Sequence, residues 1–203
     1  MKGIIFSAPM ALALIQGRKT QTRRALKHQP AADDGEYRSR GFSFSLNCGV
    51  AGISVRAGLR RISDGDLFTQ PVDFIVDETY YVREPIQREP PNLIKYAADG
   101  RVRLSSVAGG GKWRWKNSGL PARFMPKELS RMSVKIVSAK IERLHNISAA
   151  DAHAEGIDET SGAIRAIELY LKFWDHINAK RAAGIYASDR NPWVVAYTLE
   201  MVK

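Results

Sequence analysis

The chain has 203 residues, 44% of them apolar and 26% charged, which excludes a disordered polyampholyte and leads us to expect a single globular domain over 1–203. A formal net charge of +10 points to a polyanionic partner, nucleic acid or a nucleotide, because clustered cations concentrate phosphates. The lone Cys48 excludes a disulfide framework and a thiolate zinc site, and no apolar run has membrane-spanning length, so a cytoplasmic monomer with no membrane partner, no metal and no cofactor is expected.

The first segment, KGIIFS, reads as a strand. In APMALALIQG a short helix follows, with Ser7 as a candidate cap, Pro9 in the first turn and Gly17 as a left-handed terminator. The N-terminal stretch is not expected to act as a secretory signal, because its apolar run is short, holds Pro9 and is followed by cations. Where the helix stops, GRKTQTRR (17–24) packs four cations and two threonines together without an acid. The segment KTQTR alternates like a strand. In a regular strand Lys19 and Thr22 would face opposite ways, so they converge only if the chain turns there.

Residues 27–71 are rich in Gly, Ser, Asp and Arg without a sustained period, and are expected to form an insertion of loops with a short helix or hairpin. DETYYVREPI is a strong strand ending at Pro85, and NLIKYAAD is read as a second strand of the same sheet, closed by a turn at Asp99 and Gly100. A basic loop is expected over 101–120; its Gly109–Gly111 run lacks the Lys-Ser/Thr of a phosphate-binding loop. From there to Lys135, Trp113, Trp115 and Phe124 alternate with seven cations against the single acid Glu128. Aromatic faces beside cations suit base stacking and backbone neutralisation, or else the tryptophans anchor a core.

RMSVKIVSAKIERL has the cleanest alternation of a long strand. Ser148 and Asp151 then form a capping-box pattern for a two-turn helix that runs to Glu155 and ends at Gly156. A longer helix carries Ile164, Ile167, Tyr170, Leu171, Trp174 and Ile177 as its core stripe, and NPWVVAYTLEMV closes the chain as a strand. Strands too irregularly spaced for alternating βαβ units, with helices between them, predict an α+β fold built on a small mixed β-barrel.

Three residues carry chemistry. A threonine hydroxyl such as that of Thr22 needs a base to become nucleophilic. Lys19 can serve as that base where the neighbouring Arg18, Arg23 and Arg24, together with partial burial, disfavour its charge. Glu155 occupies a helix end where the macrodipole opposes a carboxylate by roughly 0.3–1 kcal/mol. It is either a tolerated surface acid or a proton-handling group. The four histidines, His28, His145, His153 and His176, form no metal-ligand spacing.

These strings, GRKTQTRR, YYVREP, YAADG, MPKELSRMSVKIVSAKIERLHNISAADAHAEGI and NPWVVAYTLE, resemble the ASCH superfamily of PUA-like β-barrels, in particular its larger bacterial and prophage-encoded members. The resemblance implies a PUA-like mixed β-barrel with flanking helices and insertions, and a metal-independent amidohydrolase acting on N4-acetylcytidine. Lys19, Thr22 and Glu155 would be the catalytic residues, and Phe6, Arg23, Arg24, Arg83 and Glu84 would contact the substrate. It also implies a modified cytidine nucleoside or RNA as partner. A non-catalytic RNA-binding module, with Lys19, Arg23 and Arg24 on phosphates, and a ribonuclease are the competing readings.

Overall fold

The computed structural model describes residues 2–27, 29, 37–46, 53–61, 67–90, 92–105, 113–158 and 162–202, with 37–46, 53–61 and 67–70 described by their strand pairing alone. Cys48, His28, Gly109–Gly111 and Lys112 lie outside them. In chain order the elements are β1 (Gly3–Ile5), α1 (Ala8–Ile15), β2 (Gln21–Ala25), β3 (Tyr37–Leu46), β4 (Ile53–Arg61), β5 (Leu67–Pro71) and β6 (Thr79–Arg83). They continue with β7 (Ile86–Glu89), β8 (Leu93–Tyr96), β9 (Val102–Leu104), β10 (Gly119–Leu120), β11 (Ser133–Arg143), α2 (Ala149–Ala154), α3 (Ala163–Asn178) and β12 (Trp193–Val202). The α+β class is as expected.

The chain forms two compact units, one of Met1–Thr20, Asp77–Ile136 and Leu199–Lys203, the other of Gln21–Val76 and Val137–Thr198. In the first, β1 runs parallel to β6, Gly3 opposite Tyr81, and the start of β11 runs antiparallel to β6. A second sheet, in the order β10-β7-β8-β9, covers a core of Ile86, Ile94, Tyr96, Leu120, Met125 and Leu129. The NLIKY strand therefore belongs to this sheet and not to that of β6. Pro85 has no N–H for a ladder, and the chain leaves one sheet and enters the other there.

In the second unit β12 pairs antiparallel with β2, Tyr197 opposite Thr22 and Val195 opposite Arg24. One core is built from Leu144, Ile147, Ala152, Ala166, Tyr170, Trp174 and Val194, so α2 and α3 pack on the strand through their apolar faces. The buried face of α3 is Ala166, Tyr170 and Trp174, flanked by Ile167 and Leu171. Ile164 is 78% exposed and Ile177 44%, contrary to the expected stripe. The segment expected as loops holds a three-stranded antiparallel sheet, β3-β4-β5.

The sheet containing β1 and β2 has the order β1-β6-β11-β12-β2, with those two strands as its ends. It is open. The expected closed barrel is a correction: among the described residues no ladder joins β1 to β2, so the sheet keeps two edges.

Candidate active site

In the second unit, alternation along β2 divides GRKTQTRR between two faces. Gln21 and Arg23 point toward α2. The Arg23 guanidinium donates to Glu142 Oε1 at 3.0 Å through Nε and 2.9 Å through Nη2, and its Nη1 donates to Glu155 Oε1 at 3.2 Å and to Gln21 Oε1 at 3.1 Å. Asp151 Oδ2 stands 3.3 Å from Nη2, and the Tyr170 ring centroid lies 6.0 Å from the guanidinium carbon. Burial works most strongly against the Arg23 charge, yet Glu155, then Tyr170, Glu142 and Asp151, hold it above its ordinary value.

Helix α2 delivers Glu155. Ser148 Oγ accepts from the Asp151 N–H at 3.1 Å, and Asp151 Oδ2 accepts from the Ser148 N–H at 3.2 Å, the expected capping box. Gly156 takes φ 101°, a conformation open to glycine, and ends the helix with Glu155 at its C-cap. A carboxylate there opposes the macrodipole, and Arg23 supplies the compensating charge. Glu155 is only 4% exposed, so it is no surface acid.

Thr22 and Arg24 lie on the other face of β2, level with Tyr197 and Val195. Phe74 packs there, 5.3 Å from the Tyr197 ring and 6.0 Å from the Arg24 guanidinium carbon. Burial holds Arg24 below its ordinary value, and Glu155 is foremost among the groups that oppose this, ahead of Asp73, Tyr170 and Tyr197. One carboxylate thus acts on arginines from both faces. A cavity of about 410 Å³ adjoins this face, lined among others by Arg24, Lys27, Asp73, Arg181, Tyr186 and Tyr197.

The remaining expected residues belong to the first unit. Lys19 precedes β2 and is 3% exposed; its N–H donates to the Ala13 carbonyl at 3.1 Å and its Nζ lies 5.5 Å from the Phe6 ring centroid. Gly17 at φ 73° turns the chain out of α1 ahead of Lys19, and β2 begins at Gln21. Phe6 is buried and its N–H donates to the Arg83 carbonyl at 2.9 Å. Arg83 Nε donates to the Met125 carbonyl at 3.2 Å, and a second guanidinium nitrogen to that of Arg123. Glu84 is fully buried and accepts twice from Arg131, at 2.8 and 2.9 Å. Arg131 also donates to Asp99 at 2.9 Å and stacks 4.0 Å from the Tyr96 centroid. Arg83 and Glu84 therefore tie the loop after β10 to the strands.

The structure thus joins Glu155 to Arg23, Lys19 to Phe6, and Glu84 to Arg131. Sequence reasoning missed Glu142, the lone acid of β11 and buried, which is the available signal for a partner to a buried cation. Trp113 and Trp115 meet edge to face at 4.9 Å and pack on the small-sheet core, so they are core anchors, whereas Phe124 is 49% exposed beside Arg123. Among the described residues no His, Cys, Asp and Glu side chains group to hold a metal, and no helix is long and apolar enough to cross a membrane. Compared with family models, curated proteins and solved structures, the chain matches none.

Proposed function

We propose that this protein is an amidohydrolase of ASCH type, an open variant of the PUA-like fold, that removes the acyl group from N4-acetylcytidine or from RNA carrying it. The observation that supports it is the burial of three polar side chains of differing chemistry, Lys19, Thr22 and Glu155, at 3, 4 and 4% exposure. Burying polar groups costs stability, and Lys19 and Thr22 are buried within one short motif, which favours a chemical use. Lys19 precedes Thr22 by three residues, which limits their Cα separation to about 11 Å at full extension.

In this scheme Lys19 takes the Thr22 proton as the hydroxyl oxygen bonds to the acyl carbon. The carbon–N4 bond then breaks, Glu155 passes a proton to the departing amine, and cytidine leaves. Water attacks the threonyl ester as Glu155 takes its proton, the ester bond breaks with release of acetic acid, and Lys19 returns its proton to Thr22. The test is hydrolysis of N4-acetylcytidine by the intact protein. Turnover should vanish in Thr22→Ala and Lys19→Ala and survive in part in Thr22→Ser; an inactive wild type, or an active Thr22→Ala, sinks the proposal.

Exposed Phe124 beside Arg123, with the exposed cations Lys95, Arg101, Arg103, Arg114 and Lys116, favours RNA binding as a second reading. Affinity for single-stranded RNA that falls steeply with salt, without turnover, would support it.

A further inference from the structure

Among the described residues, those lining the cavity of about 410 Å³ all belong to the second unit and include three cations, Arg24, Lys27 and Arg181, and one acid, Asp73. That volume suits one small ligand. Like charges converging on one hollow repel, and an anion bound there relieves that repulsion.

These cations are placed by their surroundings. Arg181 donates to Asn178 Oδ1 at 2.8 Å and lies 5.6 Å from the Tyr186 ring centroid, while Asn178 is buried and bonded to the Trp174 carbonyl at 3.1 Å. The Tyr186 hydroxyl donates to the Lys27 carbonyl at 2.6 Å, which fixes the chain where Lys27 leaves β2. Phe74 lies beside Arg24. The wall after Arg181 is strained: Ala182 and Ala183 hold φ 47° and 54°, a left-handed conformation that side-chain-bearing residues rarely adopt, and Ala182 lines the cavity. Such residues persist where the surroundings over-determine them, commonly at ligand clamps.

We propose that this cavity binds the phosphate of a cytidine nucleotide, so that the substrate is acylcytidine bearing a phosphate and not the free nucleoside. The identity of the substrate rests on the amidohydrolase reading; the anion site rests on the cavity alone. Arg24, on the same strand face as Thr22, links the two. Phosphate offers charge-assisted, bidentate bonding that guanidinium groups match.

Calorimetric titration of the intact protein with CMP, cytidine, inorganic phosphate and a short oligocytidylate tests this. CMP should bind about tenfold or more tightly than cytidine, and Arg181→Ala and Lys27→Ala should each erase most of that difference. Phosphate should compete with CMP. Oligocytidylate binding well above CMP identifies RNA as the source of the phosphate, and equal binding identifies a mononucleotide. Indistinguishable CMP and cytidine affinities, or a preference untouched in both variants, overturn the proposal. Parallel turnover of N4-acetylcytidine and its 5′-monophosphate separates the two claims. Nucleotide binding without hydrolysis sinks the amidohydrolase and keeps the site; hydrolysis with no phosphate preference does the reverse.

Discussion

Arg23 donates to Glu155 at 3.2 Å, and both side chains are almost wholly removed from solvent. The contact joins the middle of an edge strand to the C-cap of a two-turn helix. It places an acid at the unfavourable end of a macrodipole by putting a guanidinium against it. Glu142 and Asp151 complete the shell, so Arg23 holds three acids that would otherwise repel one another.

Removing that guanidinium should therefore be severe. Arg23→Ala takes the guanidinium from buried Glu155 and from Glu142, whose other oxygen stays 2.8 Å from Lys140, which predicts a loss of about 3–5 kcal/mol in urea unfolding. Arg23→Lys keeps the charge and loses the fork that serves several acids, so its loss should be smaller. A wild-type midpoint for Arg23→Ala would show that the acids find other partners.

Elements with local signals were legible. Pro9 and Gly17 bound α1, Ser148 and Asp151 start α2, and Gly156 stops it, each through chemistry within one turn. The site was less so, because Arg23 meets Glu142 and Glu155 across 119 and 132 residues, distances that spacing does not encode. In α3 the middle of the apolar stripe, Ile167, Tyr170, Leu171 and Trp174, faces the core as read, and its two ends do not. Ala166, Tyr170 and Trp174 recur every four residues in the core that holds Val194, while Ile164 in the first turn is 78% exposed. The β3–β5 sheet was hidden by its Gly, Ser and Arg content, though GFSFSL does alternate.

The capping box should show an acid-dependent contribution. Burial pushes the Asp151 carboxyl up, but hydrogen bonds from Ser148 and Gln21 and the charge of Arg23 outweigh it, so it stays below its ordinary 3.8. Its stabilisation is then complete above about pH 4 and is lost as pH falls through the lowered value. Ser148→Ala should cost about 1 kcal/mol at pH 7, and the gap to wild type in urea midpoints should narrow under acid.

Two tyrosines should resist ionisation. Burial, aided by Glu155, pushes Tyr170 well above 10.0, and burial does the same to Tyr197. The unfolded chain sheds these protons near pH 10 while the folded chain keeps them, so stability is full below pH 10 and falls as pH climbs past it. In an alkaline titration read at 295 nm, at least two of the seven tyrosines, Tyr170 and Tyr197, should ionise only as the protein unfolds. All seven titrating in a chain that is still folded would contradict the burial.

Glu155→Gln separates catalysis from architecture. The amide oxygen still accepts from Arg23, so the helix end keeps a partner but loses the charge-assisted part of the bond, a loss of about 1–2 kcal/mol in urea. An amide cannot pass a proton to the leaving amine, so kcat on N4-acetylcytidine should fall by about 100-fold or more per folded molecule. If Glu155 serves only to pair Arg23, the same variant lowers the midpoint while kcat holds, and a kcat within about threefold of wild type removes Glu155 from the chemistry.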